Sequence, residues 1–329
     1  HSGDTFQERT DTATVLIDIL AVNDAPVITA PVSAATNEDT PLNFGDSSEN
    51  NISVSDIDVG NGTMSIDITA NRAVSFQTVQ GLIGSGSGTL ALNYTGTLSA
   101  INAALSGMIF TLLADEHDED GQALGEITIS VTDNGYSGAN SRPGSDEATI
   151  TINVNPVNDA PVLSEIETYP LIYQENSLPI PVTLTTAITD IDSEVISGAE
   201  VTLVDYERGT DALAFTAANG IEAAFDRKKG VLSLLGNATV KLYESALRSV
   251  TYHNNSDNPT DTTRIVNFQV FDGGAVDLEG GTTHSNVLSR EIAIIPVNDA
   301  PFITTTKLAV GYQDIGYNFL FNATDPEGD

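Results

Sequence analysis

The 329-residue chain contains no cysteine and no tryptophan, and basic residues are few. Without cysteine, no disulfide can stabilise a small extracellular domain, so stability has to come from a sizeable core, from bound metal, or from both. Hydrophobic residues make up 40% of the chain, which is enough for real cores and argues against disorder. No apolar run approaches the ~20 residues of a membrane span, so we expect no direct membrane insertion.

Positive charge is the scarcest feature, because 12 Lys and Arg residues face 46 Asp and Glu residues, a formal net charge of −34. Nucleic acid is excluded as a partner, since its binding depends on Lys and Arg that neutralise phosphates. Anionic lipid is disfavoured for the same reason. Two interpretations remain: the acids keep the surface soluble, or they bind cations. Acids that recur at fixed positions favour cation binding, and scattered acids favour the first interpretation.

One short motif divides the chain into repeats. The letters VNDAP stand at 22–26, 157–161 and 297–301, and residues 1–26 align with 136–161 without a gap. Spacing of this size indicates repeated domains. We therefore expect the last strand or strands of a preceding repeat in 1–22, complete repeats in 23–157 and 158–297, and the start of another in 298–329. The chain begins at His1 without a signal peptide, so we also expect a segment of a longer protein.

Apolar residues within each repeat alternate with polar ones. Ala148, Ile150, Ile152 and Val154 share one face of a predicted strand, and Val266, Phe268 and Val270 behave alike. One apolar stripe of helical spacing recurs, with Leu98, Ile101, Leu105 and Met108 in one copy and Leu242, Leu247 and Val250 in the other. About seven strands per repeat, with one short helix before the fifth, predict an all-β fold of tandem Greek-key β-sandwich domains, stacked end to end.

Acidic residues recur at equivalent positions of the repeats. An acid follows the first predicted strand, an Asp-x-Asp pair follows the second, another Asp ends the sixth, and an Asn-Asp pair lies in the linker. In chain order these residues are Asn23, Asp24, Glu38, Asp56, Asp58, Asp133, Asn158, Asp159, Glu175, Asp190, Asp192, Asp272, Asn298 and Asp299, with Asp325 and Glu327 at the start of the last copy.

Strand parity predicts that these acids meet at the junctions. In a seven-strand domain, the loops after the second and sixth strands face the incoming linker, and the loops after the first and fifth face the outgoing one. The middle junction would then gather Glu38, either Asp115 or Asp118, Asn158, Asp159, Asp190, Asp192 and Asp272. So many like charges repel unless a cation lies among them. Oxygen ligands in this number favour Ca²⁺ over Mg²⁺, and the lack of Cys leaves zinc without a site.

This combination of positions resembles cadherin repeats, whose linker is closely related to Asn-Asp-Ala-Pro. The segments LSAINAALSGMIF and TYHNNSDNPTD resemble more closely the cadherin-like repeats of large bacterial surface adhesins, many of them secreted by type I systems. The resemblance implies an Ig-like sandwich, Ca²⁺ ligands at the positions named above, and an extracellular or cell-surface location. It also implies a ligand from the fifth loop of each repeat, which would be Asp115 or Asp118 in the first and Asp257 or Asp261 in the second. The Asp-Arg-Glu that cadherins carry in this loop is missing.

Three functions are compatible with these features. In the first, the chain is a Ca²⁺-rigidified extender of a long adhesin that acts in cell-surface or cell–cell adhesion or in biofilms. Its partners are the neighbouring repeats, and domains outside this segment bind a carbohydrate or a cell-surface ligand. Alternatively, the repeats themselves bind carbohydrate or self-associate, which clustered exposed aromatics would favour. A spacer in a secreted enzyme is the third. No HExxH spacing, nucleophile elbow or phosphate loop is present, so we expect no enzyme.

Overall fold

The computed structural model describes residues 9–45, 49–118, 122–135, 142–216, 220–259, 263–273, 283–305, 311–316, 318 and 320–328. The chain divides into two compact units, His1–Pro156 and Val157–Asp329. Each unit has its own hydrophobic core. The finer boundaries of the repeats, at 23, 158 and 298, stay a prediction.

The first unit consists of strands and one short helix in its described part. In chain order these are β1 (Val27–Thr29), β2 (Ser33–Asn37), β3 (Leu42–Asn43), β4 (Ser53–Ser55), β5 (Thr63–Phe76), β6 (Leu82–Ser85), β7 (Thr89–Thr97), α1 (Leu98–Leu105), β8 (Met108–Thr111), β9 (Gly125–Thr132) and β10 (Ser145–Asn155). One layer has the strand order β2-β10-β9-β5-β7-β6, while β3, β8 and the second half of β5 pair opposite it. The long β5 therefore contributes to both layers of a β-sandwich.

The second unit repeats this architecture. Its elements are β11 (Val162–Ser164), β12 (Leu171–Gln174), β13 (Ile180–Pro181), β14 (Ala187–Thr189), β15 (Val195–Leu203), β16 (Asp211–Ala214), β17 (Glu222–Asp226), β18 (Val231–Thr239), α2 (Val240–Ser249), β19 (Thr251–Asn254), β20 (Thr263–Phe271), β21 (Leu288–Ile295), β22 (Phe302–Ile303) and β23 (Ala323–Thr324). The sheets are β12-β21-β20-β15-β18-β17 and β13-β19-β16, with β11 paired to β14 and β22 to β23. The chain is thus an all-β protein of tandem sandwich domains.

The predicted strand faces are confirmed. Ile150, Ile152 and Val154 of β10 are buried while their neighbours are not, and Val266, Phe268 and Val270 are fully buried on β20. Alternation produces this result because successive side chains of a strand point to opposite faces. The two inner faces meet in each unit and form its core.

The number of strands is higher than predicted. The described residues of the first unit form ten strands rather than about seven, and one of the additional strands arises because the first strand is divided. β1 pairs with β4, whereas β2 crosses to the other layer and pairs in parallel with β10. The described part of the segment predicted as a preceding strand, residues 9–22, forms no strand, and Val15, Leu16 and Ile17 are exposed. No described strand pairs with residues 9–22.

The helix of each unit overlaps the apolar stripe that predicts it, but Met108 and Val250, which were expected on the helices, lie beyond their C-terminal ends. In α1, Ile101 and Leu105 are buried, and the helix ends before Met108, which begins β8. Gly45 permits a close approach at this helix end: it has φ of +97°, and a Cβ there would lie 2.1 Å from the carbonyl oxygen of Ser106. Among the described residues, neither helix has the length and apolar character needed to cross a membrane.

Candidate metal centre

The first linker is hydrogen-bonded to both acidic loops that the sequence predicts beside it. Nδ2 of Asn23 donates to Oδ2 of Asp133 at 2.6 Å. The backbone N–H of Asp24 donates to Oδ2 of Asp58 at 2.9 Å. Since these loops come from distant parts of the sequence, the fold itself brings the linker, the Asp-x-Asp pair and the end of β9 together.

The Asp-x-Asp pair forms a tight turn that orients one carboxylate. Oδ1 of Asp56 accepts the backbone N–H groups of Asp58 and Val59 at 3.0 and 2.8 Å, an arrangement that Asp favours in turns. Oδ2 of Asp56 is buried and has no hydrogen-bond partner. Burial raises the pKa of this carboxyl, and the neighbouring Asp58 raises the pKa further.

Asp133, at the end of β9, is almost fully buried, with 1% of its surface exposed. Its Oδ1 accepts the backbone N–H groups of Gly135 and Gly144 at 2.8 and 2.9 Å. These bonds fix the orientation of the Asp133 carboxylate, whose other oxygen accepts from Asn23.

The second unit builds the same arrangement from its own residues. Nδ2 of Asn158 donates to Oδ2 of Asp272 at 2.7 Å, and the N–H of Asp159 donates to Oδ2 of Asp192 at 3.0 Å. Oδ1 of Asp190 accepts the N–H of Ser193 at 2.9 Å. Oδ2 of Asp190 is buried without a partner. Burial raises the pKa of Asp190 to about 6, and the Asp192 carboxyl contributes to the rise.

The last linker repeats part of this pattern. Nδ2 of Asn298 donates to the carbonyl of Asp299 at 3.0 Å, and the N–H of Asp299 donates to Oε2 of Glu327 at 3.2 Å. Oδ1 of Asp325 accepts the N–H of Glu327 at 3.0 Å. Oε1 of Glu327 is buried and unpartnered, and burial raises the pKa of this carboxyl.

Glu175 joins this last group, as strand parity predicts. It is 4% exposed, and its Oε2 accepts the N–H of Val297 at 2.7 Å, while its Oε1 is buried and has no partner. One carboxylate oxygen from each of Glu175, Asp299 and Glu327 lies within 4.8 Å of the others. Within the described chain, no salt bridge joins these three acids to Lys or Arg. Three carboxylates at this spacing repel one another strongly.

Glu38, the equivalent residue of the first unit, is also 4% exposed. Its Oε2 lies 3.0 Å from Nδ1 of His117. The sequence pattern does not indicate His117 as a functional residue, because the four histidines lie scattered in loops without a metal-binding spacing. The one sequence feature that could have indicated the contact is the place of His117 in the acidic loop before β9, because strand parity puts this loop at the same pole as Glu38.

The two fifth-loop acids of the first unit differ, because Asp118 is engaged through its carboxylate and Asp115 through its backbone N–H. Oδ1 of Asp118 accepts the N–H groups of Leu124 and Val154 at 2.8 and 2.9 Å, so this oxygen fixes the backbone of the loop. Asp115 donates its N–H to Oδ1 of Asp39 at 3.0 Å. In the second unit, Asp257 is exposed and Asp261 lies outside the described residues.

Unpartnered buried atoms concentrate in the predicted ligand set. Within the described residues, five buried side-chain nitrogen or oxygen atoms have no hydrogen-bond partner, and four of them are carboxylate oxygens of that set. These four are Asp56 Oδ2, Glu175 Oε1, Asp190 Oδ2 and Glu327 Oε1. A buried charged oxygen without a partner is costly. All candidate donors are oxygens, the type that hard divalent cations prefer. The residues therefore fit a cation of the calcium class.

Comparison with known proteins adds a likeness in fold. No family model matches the chain, and no curated protein does. Among solved structures, the chain is similar to the human Desmocollin-1 ectodomain at 14% identity and a TM-score of 0.29, covering 85% of this chain and 43% of that one. It is also similar to mouse Protocadherin-24 EC1-3, at 13% identity, a TM-score of 0.31, and 82% and 70% coverage. Drosophila N-cadherin EC1-4 is similar at 12% identity, with a TM-score of 0.23 and coverage of 92% and 60%. The chain thus spans less than half of the desmocollin ectodomain.

Proposed function

We propose that the chain is a Ca²⁺-stiffened extender segment of a long extracellular adhesin. The observation that supports this function best is the recurrence of a buried, unpartnered carboxylate oxygen in the Asp-x-Asp or Asp-x-Glu turn of all three copies, at Asp56, Asp190 and Glu327. The buried oxygen belongs to the first residue of the turn in two copies and to the last residue in the third, and a surface evolved only for solubility has no need to bury one in the same turn of every copy.

The ion would be held by oxygens that the fold has already oriented. In the second unit, these residues are Glu175, Asp299 and Glu327, with Asp325 and Asn298 beside them. At the first linker the corresponding residues are Asn23, Asp24, Asp56, Asp58 and Asp133. At the second linker they are Asn158, Asp159, Asp190, Asp192 and Asp272, and Glu38 is the counterpart of Glu175. The bound ion cancels the repulsion among the carboxylates and crosslinks the linker to the loops beside it.

Ion binding is linked to stability and stiffness. An ion that binds the folded protein but not the unfolded chain stabilises the fold by about 1.4 kcal/mol per site when its concentration is ~10 times Kd. Extracellular calcium modules bind with a Kd of about 10⁻⁴–10⁻³ M. The segment would therefore be flexible inside a cell and stiff outside it, where it holds a distal binding domain away from the surface.

The repeat boundaries at 23–157 and 158–297, the absence of an enzymatic function, the extracellular location and the origin in a type I-secreted bacterial surface adhesin belong to the same proposal. They are supported by the residue patterns that resemble cadherin-like repeats, and by an acidic composition that suits a soluble exported protein.

Small-angle X-ray scattering of the full chain tests this function. We expect the maximum dimension and the stiffness to fall when Ca²⁺ is replaced by EGTA, and to remain low when Mg²⁺ is added instead. A variant carrying Asp56→Asn, Asp190→Asn and Glu327→Gln should give the EGTA-type profile even in excess Ca²⁺. Coincident profiles of the unmodified chain in Ca²⁺ and in EGTA would contradict the proposal.

A further inference from the structure

The second unit contains a concentration of positive charge that the composition of the chain makes unusual. Four of the 12 Lys and Arg residues lie between 208 and 229, namely Arg208, Arg227, Lys228 and Lys229. This stretch contains three acids, so it is locally basic in a chain whose net charge is −34. In so acidic a chain, basic side chains that remain without an acidic partner call for a physical reason.

The fold brings two of these arginines to one pocket. Arg208 lies in the loop between β15 and β16, and Arg227 lies in the hairpin between β17 and β18. Both line a pocket of about 450 Å³, together with His253 of β19. Both arginines are exposed, and neither makes a salt bridge with another described residue. By contrast, Arg72, Arg248, Arg264 and Arg290 are each paired with a glutamate.

Two aromatic rings form another wall of the same pocket. The rings of Tyr206 and Phe225 lie edge to face, with centroids 5.9 Å apart and an interplanar angle of 87°. The Tyr206 hydroxyl donates to the carbonyl of Arg227 at 3.0 Å, which ties the two loops together. Gly230, with φ of +74°, lies against this ring, and a Cβ there would be 2.5 Å from Cγ of Tyr206. The ring position is therefore fixed on two sides.

The one acid in the pocket wall is already neutralised. Asp211 is 4% exposed, and its Oδ2 lies 2.6 Å from Nε of Arg264. Its Oδ1 accepts the Tyr252 hydroxyl at 2.6 Å and Nδ2 of Asn254 at 2.7 Å. With both carboxylate oxygens engaged, the charge that the pocket offers to a ligand is that of Arg208 and Arg227.

The sandwich fold does not require this pocket. In the first unit, β5 runs without interruption from Thr63 to Phe76, at the place where the second unit has β15, a loop and β16. The hairpin between β6 and β7 reads Gly-Ser-Gly and carries no charge, where the second unit has Asp-Arg-Lys-Lys-Gly. The loop that carries Arg208, the basic hairpin and the aromatic wall are thus additions to one unit only.

We propose that this pocket binds a saccharide that carries a carboxylate, such as a uronic or sialic acid residue. The guanidinium groups of Arg208 and Arg227 pair with the carboxylate, a geometry for which arginine is well suited. The Tyr206 ring takes the apolar face of the sugar ring, and His253 and Asn255 offer hydrogen bonds to its hydroxyls. The volume lies within the range of small-ligand sites. An acidic peptide would instead need an extended groove or the free edge of the sheet at β17.

Binding of sialyllactose and of a hyaluronan tetrasaccharide to the full chain tests the proposal, with lactose as the neutral match for the first sugar. Calorimetry in EGTA keeps the measurement independent of the calcium sites. We expect binding of at least one acidic sugar and none of lactose. The Arg208→Gln/Arg227→Gln variant should weaken binding tenfold or more, while Lys241→Gln, which removes an exposed cation elsewhere in the unit, should not change it.

Two further variants separate a binding role from a folding role. Tyr206→Phe keeps the ring and should keep most of the affinity, whereas Tyr206→Ser should abolish binding with little change in the far-UV circular dichroism spectrum. The proposal is wrong if no acidic sugar binds, if polyglutamate or a sulfated lactose binds more tightly than both carboxylated sugars, or if Arg208→Gln/Arg227→Gln binds as the unmodified chain does. Because the test needs no Ca²⁺, its failure would leave the extender function untouched, and the reverse also holds.

Discussion

The backbone nitrogen of Asp159 donates a hydrogen bond to Oδ2 of Asp192 at 3.0 Å. Asp24 makes the same bond to Asp58 in the first unit, at 2.9 Å. Each bond holds the linker beside the Asp-x-Asp turn. The neighbouring Asp190 then keeps a buried oxygen that no protein donor reaches. Within one short turn, Asp192 therefore holds the linker and Asp190 offers an oxygen to a cation.

Asp190→Asn should weaken Ca²⁺ binding without harming the fold. The substitution retains Oδ1, which accepts the N–H of Ser193, and replaces the unpartnered oxygen with an amide nitrogen. We expect the affinity of the affected site to fall about tenfold or more, because ligand charge sets the affinity of calcium sites. In EGTA, the midpoint of thermal unfolding should be unchanged or higher, since one of two neighbouring like charges is removed.

Calorimetric Ca²⁺ titration and scanning calorimetry measure these two effects. Glu200→Gln is the matched control, because it removes an exposed acid of β15 outside the ligand set. An unaltered calcium titration of the Asp190→Asn variant would remove Asp190 from the site.

The raised pKa of Asp190 predicts two effects of lowering the pH. The stability of the calcium-free protein should rise, and the affinity for Ca²⁺ should fall. The folded-state pKa is about 6, above the ordinary value of 3.8. The folded protein therefore takes up a proton more readily than the unfolded chain does, so this group destabilises the fold at neutral pH. In calcium-free protein, that cost should shrink as the pH falls through about 6, and it should vanish near the ordinary pKa. In Ca²⁺, the proton competes with the ion, so the apparent affinity should fall over the same interval.

Urea unfolding of calcium-free protein at several pH values, followed by circular dichroism, measures the first effect. The Asp190→Asn variant should lack this component of the pH dependence. If the variant and the unmodified chain show the same dependence, another group is responsible for it.

The buried ion pair of the second unit predicts a large loss of stability on substitution. Arg264 is 1% exposed and lies against Asp211, whose side chain is fully buried. Arg264→Met should lower the free energy of unfolding by about 3–5 kcal/mol, because it leaves Asp211 as an uncompensated buried charge. The double variant Arg264→Met/Asp211→Asn removes the charge but keeps an oxygen that accepts from Tyr252 and Asn254, so it should recover part of this loss.

Lys241→Gln is the surface control for this prediction, since Lys241 is exposed at the start of α2. Substitution of an exposed surface residue changes stability by about 0.5 kcal/mol or less. Urea unfolding compares the variants. A double variant as unstable as Arg264→Met would show that packing, rather than charge, dominates at this site.

The two helices offer a matched test of capping. The Thr97 side chain accepts the N–H of Ala100 at 3.3 Å, whereas Thr239 makes no such bond at the start of α2. Thr97→Ala should therefore cost about 1 kcal/mol, and Thr239→Ala should cost less. Thermal unfolding of both variants measures these costs. Equal losses of stability would show that the Thr97 cap does not cause the loss in Thr97→Ala.

Local patterns predicted much of this molecule. Alternation located the buried faces of β10 and β20, and helical spacing located α1 and α2, because both patterns depend on residues close in sequence. Strand parity also predicted Glu175 beside the outgoing linker, and one of its carboxylate oxygens lies within 4.8 Å of one of Asp299.

Features that depend on long-range pairing were not predicted. The division of the first strand into β1 and β2 follows from the parallel partner of β2, which lies more than 100 residues away. Arg264 falls on the buried face of β20, where a charge is unfavourable unless a distant residue compensates it, and only the fold supplies Asp211. The carboxylate of Asp118 was a candidate ligand from its position alone, and its two bonds to backbone N–H groups depend on the position of β10 and of the loop before β9.

The parallel pairing of β2 with β10 has a mechanical consequence. Five residues, Ser33–Asn37, pair in register with Thr151–Asn155, and in the second unit Leu171–Gln174 pair with Ile292–Ile295. β2 lies near the start of its unit and β10 at its end, and the two strands run in the same direction. A pulling force applied at the two ends of a unit therefore loads this ladder lengthwise, in shear. Its hydrogen bonds share the tension and have to break together rather than one after another, as they would in an antiparallel hairpin peeled from its open end.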